Sequence, residues 1–368
     1  MARSTPVGLT LLLLAACGGT ASAGGGATPT TTTVPAATAP AAGDILAGWT
    51  RTWQWHATPD GKIWRGDGKR WDPANGPFLD CYVEWGWLRR LEGNHEQQVF
   101  VSPAAWKNAG FNCVFYDPNT QSLAIRPRVA TPAESAVTGY TQDAGPCKGR
   151  AIFSAMLSLE QLTAACPRSG AWRIVARMPG RGVGGPAYQG AWPAIWLMAH
   201  KYPMWDGVSG PKRGEPFYEK HWELDILEQH ARDQSKWYVT DHAEPPFDKA
   251  PEKPEHLVVT GDTSKTFHEW ITVVTDRWWL VYLDGKLVQK KPKTQSAGHP
   301  PLYLIFNLAI GGTWFGNVTA ESDLSKWEMN LRSIDIYSLP PGFNGDQELP
   351  MTPRPPAPAG LAPNGMNG

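Results

Sequence analysis

Three carboxylates fall within six positions of one apolar run, "HWELDILEQH" at residues 221–230: Glu223, Asp225 and Glu228. Strand side chains alternate faces with period 2, so Glu223 and Asp225 share a face while Glu228 is out of step. Paired carboxyl groups are the machinery of glycoside hydrolysis. Held roughly 5–5.5 Å apart, one attacks the sugar and the other protonates the leaving oxygen. A β-bulge within Ile226–Leu227 would insert one extra residue and return Glu228 to the face of the other two. Three carboxyl groups crowded on one face cannot all ionise cheaply, so at least one holds its proton to higher pH. That supplies an acid beside an ionised nucleophile. Two other readings fit the same residues: a solvated strand face, and a calcium site, since clustered carboxylates suit that ion. Trp222, Leu224, Ile226 and Leu227 interleave with the acids, which favours one face in a core and the other lining a cleft.

Such a strand needs partners, and the chain is rich in them. "RWWLVYLDGKLVQK" is two β-rich runs joined by Asp284-Gly285, a strong hairpin signal. "LYLIFNLAIGG" (302–312) is a continuous apolar run suited to a strand buried on both faces, and "AWRIVARMPG" and "WPAIWLMAH" read alike. Helical periodicity is scarce; "SLEQLTAA" near 158–165 is the best stretch. The pattern predicts an all-β sandwich. Gly180, Gly182 and Gly185 satisfy GxGxxG, but the prolines that follow deny it a helix, so it reads as a loop. "HWE" (221–223) has the H-x-E of zinc deaminases without their P-C-x-x-C.

The 368 residues carry 34 basic and 34 acidic side chains, a balance that argues against a nucleic-acid partner. Nineteen tryptophans exceed what a core of this size requires, leaving some as platforms for flat apolar ligand faces such as sugar rings. Residues 1–23 read as an export signal, one Arg before an apolar stretch too short to span a bilayer. Its "LAAC" resembles a bacterial lipobox that would lipidate Cys17 and anchor the protein to a membrane; cleavage after Ala23 is the alternative and would free it. Residues 24–45 are a Gly/Thr/Pro/Ala linker, 46–340 a single domain, and 341–368 a Pro/Gly-rich tail expected to lack structure. The four remaining cysteines, Cys81, Cys113, Cys147 and Cys166, suggest two disulfides in an exported chain.

"ELDILE" matches the E-x-D-x-x-E signature of glycoside hydrolase family 16, the laminarinases, agarases, carrageenases and related endo-glycanases. Four other stretches resemble the family in its own order: "GNHEQQVFV" (93–101), "GAWPAIWLM" (190–198), "FHEW" with "VYLDGKLV" (267–270 and 281–288), and "FNLAIGGTWFGN" (306–317). The resemblance spans about residues 80–340 and implies a jelly-roll β-sandwich, concanavalin A-like, with a concave substrate cleft. It implies Glu223 as nucleophile, Glu228 as general acid/base, and Asp225 between them, hydrogen-bonding the nucleophile. His242 matches a cleft histidine of the family, with a surface-loop histidine as the plain alternative. Trp192 and Trp196 share a strand face and would stack on sugar or pack in a core. Asn94, Glu96, Asn307 and Trp314 match motif positions. Asn307, interrupting an apolar run, must be hydrogen-bonded to backbone or ligand. Arg177 falls at the lysine of the family strand G-R-F-E-A-R-I-K-L-P, where Arg173 and Val175 replace its Glu and Arg; it joins the substrate-binding candidates. Arg332 stands where family members place a calcium-ligating Asp, so that site is expected to be lost, with no metal or cofactor required. A long insertion, residues 201–222, is expected beside the cleft.

The resemblance implies a retaining endo-glycanase acting on a β-linked polysaccharide; a monomer is the expected state, which the sequence itself does not fix. Its β-1,3-glucan preference comes from the family alone. A β-galactan, the cell's own exopolysaccharide, and lectin-like binding without cleavage are the alternatives.

Overall fold

The computed structural model describes residues 44–57, 79–80, 88–89, 94–101, 113–159, 165–182, 184–199, 222–242, 255–259, 261–292 and 301–349. Two antiparallel sheets dominate. The first contains β1 (Thr50–His56), β5 (Val114–Asp117), β6 (Ser122–Ile125), β10 (Gly170–Arg177), β15 (His268–Val274), β16 (Trp278–Leu283), β17 (Lys286–Pro292) and β19 (Met329–Ser338). Its order is β17-β16-β15-β10-β19-β6-β5, with β1 also paired to β19. The second contains β2 (Leu79–Asp80), β9 (Met156–Ser158), β11 (Ala191–Ala199), β12 (Glu223–Glu228), β13 (Lys236–Asp241), β14 (Glu255–Val259) and β18 (Leu302–Ile310). Its order is β14-β13-β12-β11-β18-β9-β2. A small third sheet joins β3 (Leu88–Arg89), β4 (Gln98–Val101), β7 (Arg128–Val129) and β8 (Ile152–Ser154).

The expected all-β jelly roll is thus present, and its elements follow the sequence signals. Asp284 and Gly285 both adopt positive φ, 48° and 79°, joining β16 to β17 in the tight turn that this pair favours. β11 and β18 are buried along their whole length, as interior strands of the second sheet. Inner faces of both sheets meet in one core whose largest fully buried side chains include Trp172, Trp222, Trp237, Trp270, Trp279 and Trp327. Most described tryptophans therefore fill the core rather than offer platforms.

Several expectations fail. The described helix is α1 (Pro132–Thr138), with Thr131 and Glu134 in a capping box and Gly139 closing its end at a φ of 69°. In the stretch 158–165, Ser158 ends β9 and residues 160–164 lie outside the described residues. Gly180, Gly182 and Gly185 do sit in a loop, each at positive φ. Cys113 and Cys147 are separate buried thiols, which rules out two disulfides among four cysteines. Both are enclosed in the core cluster, and burial pushes the Cys113 thiol up to about 12. Cys166 is buried and its thiol donates to the Leu159 carbonyl, while Cys81 lies outside the described residues, as do Cys17 and residues 24–43 of the linker. The last two linker positions belong to the folded part instead: Ile45 is buried and Asp44 pairs with Arg173.

The tail also departs from expectation. Residues 341–349 pack against the first sheet, Phe343 edge-on to Trp49 with centroids 5.0 Å apart. Leu349 is buried and its N–H donates to the Tyr282 hydroxyl at 3.0 Å. Truncation after Pro340 would expose these apolar groups, so urea unfolding should show a loss of roughly 3 kcal/mol.

Candidate active site

The bulge that the acidic spacing demands lies in β12. Against β13, Asp225 faces Thr240 and Glu228 faces Tyr238, so three steps on one strand oppose two on the other. Against β11, Asp225 faces Trp196 and Leu227 faces Ile195, two steps against one. Ile226 is the extra residue. It and Leu227 are both wholly buried, two large apolar side chains that the core accepts in succession. Glu228 then lies opposite Ala194, and Glu223 opposite Met198, so all three acids align with the Trp192–Ala194–Trp196–Met198 face of β11.

Aromatic and amide groups hold this face. Trp192 Nε1 donates to Glu228 Oε1 at 3.0 Å. Trp196 Nε1 donates to Asn307 Oδ1 at 2.7 Å across the β11–β18 pair, so Asn307 is satisfied by a side chain, neither of the two partners expected from sequence. Trp192 and Trp196 are almost wholly buried, and their indole N–H groups serve the site by bonding its polar side chains. Trp314 is exposed and stacks on Phe315 with centroids 4.4 Å apart. Trp192 meets both rings edge-on, and Tyr238 lies 5.0 Å from Trp314. Tyr238 and Phe315 were missed from sequence. Tyr238 could have been found by counting back two residues from Thr240 on a strand paired with β12.

The loop that carries Trp314 rests on the Asn94–Gln98 segment. The Asn94 carbonyl accepts from Thr313 N–H at 3.1 Å, and Asn94 Nδ2 donates to Glu96 Oε1 at 3.1 Å. Glu96 is buried and accepts from Gln98 Nε2, whose Oε1 accepts from Ile310 N–H at 2.7 Å. Gly312, at a φ of 101°, permits this approach: a Cβ there would meet the Asn94 carbonyl at 2.9 Å and the Trp192 ring at 3.2 Å. Asn94 and Glu96 are thereby placed as supports of the loop.

Arg177 lies elsewhere. It sits on the outer face of β10 in the first sheet, donating to Asn330 Oδ1 at 2.6 Å. The reason is parity: Arg173, Val175 and Arg177 are the more exposed positions of a strand whose alternate residues enter the core. Arg173 pairs there with Asp44 at 2.6 Å and Glu269 at 2.5 Å, which accounts for a basic residue at that position. Arg332 lies over the Phe267 ring, 3.7 Å from its centroid, and donates to the Thr120 carbonyl. The insertion, with His221, falls outside the described residues except at Trp222.

His242 is brought to the acids. Its Nε2 lies 3.0 Å from Asp225 Oδ2, an ion-pair contact with imperfect hydrogen-bond alignment. Its backbone N–H donates to the Glu223 carbonyl. Ligand atoms of Glu223, Asp225 and His242 all lie within 4.8 Å of one another. Burial opposes the histidine's charge, but Asp225 first, then Glu223 and Glu228, push its pKa up to about 10. As an imidazolium it is a donor, so a metal ion would first have to displace a tightly held proton. Burial and then the Asp225 charge push Glu223 up to about 7, against the pull of His242. The same two causes, in the same order, raise Glu228 well above the ordinary carboxylate range, opposed by His242 and by the Trp192 hydrogen bond. Two carboxyl groups in shared surroundings are thus held above the ordinary carboxylate range, the arrangement that acid/base chemistry requires.

No family model matches the chain. An endo-1,3-1,4-β-glycanase of Rhizobium meliloti, EglC, is 27% identical over 249 residues, 68% of this chain and 44% of that protein. A second from the same organism, ExsH, is 24% identical over 250 residues, again 68% and 44%. The chain thus spans less than half the length of the curated relatives it matches. Among solved structures, the Thermotoga maritima laminarinase catalytic domain superposes with a TM-score of 0.52 at 18% identity, covering 79% of this chain and 99% of that one. The non-specific endo-β-1,3(4)-glucanase SCLam, a member of family GH16, gives 0.52 at 20% identity over 79% and 91%.

If the His242 ion pair stabilises the fold, its contribution is fully present below about pH 6.5 and lost as pH rises through about 10, because the folded-state pKa is the higher one. Urea unfolding of wild type and His242→Gln across that window should show a gap of about 1 kcal/mol, discounted for the half-exposed ring, closing towards the alkaline end. In overall fold the chain is similar to the laminarinase and endo-β-1,3(4)-glucanase catalytic domains, the β-sandwich that its sequence resemblance to glycoside hydrolase family 16 implies.

Proposed function

We propose that this chain is a retaining, endo-acting glycoside hydrolase that cuts a β-linked glucan. What supports this most directly is the bulge at Ile226, which aligns Glu223, Asp225 and Glu228 on one face beside Trp192 and His242. In the first step the Glu223 carboxylate attacks the anomeric carbon while Glu228 gives its proton to the departing glycosidic oxygen. In the second, Glu228 takes a proton from water, which attacks the same carbon and releases Glu223. His242 and Asp225 act on the nucleophile: the cation opposes the rise in its pKa, and the neighbouring carboxylate adds to it.

A β-glucan substrate is supported by the relatives, named for 1,3-1,4-β-glycanase activity, and by neighbours named as laminarinase and β-1,3(4)-glucanase. The exposed Trp314 face, stacked on Phe315, suits the apolar face of a sugar ring. The proposal includes export by residues 1–23 and, through the lipobox reading of Cys17, attachment to a membrane, where a monomer would meet extracellular polysaccharide.

Glu223→Gln should lose at least about a thousandfold in kcat on laminarin or lichenan while still binding them in affinity electrophoresis. Wild-type protein that binds these glucans, agarose or carrageenan but releases no reducing ends from any would reduce the proposal to a lectin. The pH profile of kcat/KM supplies a further check. Trp192→Phe removes a hydrogen bond that lowers the Glu228 pKa, so the alkaline limb should move to higher pH; an unmoved or downward-shifted limb would count against Glu228 as the acid.

A further inference from the structure

The loop that carries the exposed Trp314 is tied down on two sides. On one side is the Asn94–Gln98 segment, where Gln97 Oε1 also accepts from Val318 N–H at 2.9 Å. On the other is the chain just beyond the acidic strand, and there the ties converge on Phe315. Gln189 Nε2 donates to the Phe315 carbonyl at 2.9 Å, and Gln189 Oε1 accepts from Arg232 Nη1 at 3.1 Å. The Arg232 N–H donates to His230 Nδ1 at 3.1 Å. The His230 ring stands edge-on to Phe315, with centroids 5.3 Å apart and an interplanar angle of 81°. The Phe315 carbonyl also faces that ring, opposing the lowering of its pKa by burial. Phe315, Gln189, Arg232 and His230 thus form a closed circuit.

His230 has a rigid mount. It stands two residues after Glu228, between Gln229 and Ala231, and both neighbours are fixed to the second sheet. Gln229 is buried; its N–H donates to the Pro193 carbonyl, and its Nε2 donates to the Gln234 carbonyl and to Thr263 Oγ1, both at 2.9 Å. The Ala231 N–H donates to the Ala191 carbonyl at 3.1 Å. Because Nδ1 accepts, the neutral imidazole keeps its proton on Nε2. The aromatic stack and Glu228 are therefore linked twice. Trp192 donates to Glu228 and meets Trp314 and Phe315 edge-on, at 5.7 and 5.1 Å, while His230 meets Phe315 from the chain that continues out of Glu228.

From this geometry we propose that His230 is a positioning residue for glucan binding: through Phe315 it holds the Trp314 face in register with Glu228. The assignment rests on the reading of Trp314 as a glucan platform. In it His230 touches neither the sugar nor a reacting atom; its ring fixes Phe315, and the stack of Phe315 on Trp314 passes that constraint to the sugar-binding face. A ring whose only task was to close the 230–232 turn through Nδ1 would leave Trp314 where it is.

A double-mutant cycle read by affinity electrophoresis of the full chain in laminarin and lichenan gels tests this. Trp314→Ala should weaken binding about tenfold and His230→Ala about threefold. The double variant should bind no more weakly than Trp314→Ala, because the constraint acts only through that ring. In steady-state assays His230→Ala should raise KM by about the same threefold with kcat within about twofold of wild type. His230→Asn is measured beside it: its Oδ1 replaces Nδ1 as the acceptor for the Arg232 N–H and preserves the turn, but the ring against Phe315 is gone, so it should bind as weakly as His230→Ala. Additive losses in the double variant, wild-type binding by His230→Asn, or no retardation of wild type by either glucan would each overturn the assignment. The cycle is read from binding, so a wild type that is retarded but releases no reducing ends would sink the hydrolase reading alone.

Discussion

One backbone irregularity carries the architecture of the acidic face. A regular strand would present Glu223 and Asp225 to one side and deliver Glu228 into the core on the side of Leu224 and Ile226. An unpaired carboxylate in such a place costs several kcal/mol, so the strand and its apolar neighbours could not have formed around it. Placing the extra residue at Ile226 resolves this, because Ile226 and Leu227 can both be buried while Glu228 emerges opposite Ala194. The small side chain of Ala194 leaves the space over β11 to the indole of Trp192, which reaches Glu228. Fold and chemistry are therefore satisfied by the same inserted residue.

With the acids aligned, electrostatics governs the rest. Carboxylate oxygens of Glu223 and Asp225 approach within 4.8 Å, where two unit charges at an effective dielectric of roughly 20 repel by about 3 kcal/mol. Burial adds to that cost, and a proton on one group or a cation beside the pair relieves it. Both remedies are present: His242 as an imidazolium against Asp225, and carboxyl groups at Glu223 and Glu228 that protonate well above their ordinary range. The Trp192 N–H works the other way on Glu228, favouring its ionised form. Such opposed influences leave two carboxyl groups able to exchange roles through a two-step displacement.

Support for this face comes from segments distant in the chain. The loop bearing Trp314 hangs from Asn94, Glu96 and Gln98, more than 200 positions earlier, and Gly312 allows backbone to pass close to Trp192. The first sheet bears none of the acidic trio, yet its outer face is covered over β15 and β16 by residues 341–349 and carries the Arg173 ion pairs. Arg177 belongs to that outer face, since the alternation of β10 directs it away from the core while its sheet lies opposite β12.

What the sequence determined by itself is what depends on spacing and on neighbours in the chain. The E-x-D-x-x-E count required a bulge, the Asp284-Gly285 pair required a tight turn, and the apolar runs at 191–199 and 302–310 required buried strands; each is a local property and each is present. The tertiary structure alone decided which groups meet. Asn307 could not be read as the partner of Trp196, nor His242 as the partner of Asp225, until strand pairing set them side by side. Cysteine count suggested two staples, but Cys113 and Cys147 lie apart as thiols in a core that tryptophans already fill. The tail looked structureless because its Pro and Gly have no periodicity, and its Leu349 found burial only on a surface made by Tyr282 and its neighbours. Period and turn chemistry act within a few residues; ion pairs, indole hydrogen bonds and burial join residues that only the folded sheets bring within reach.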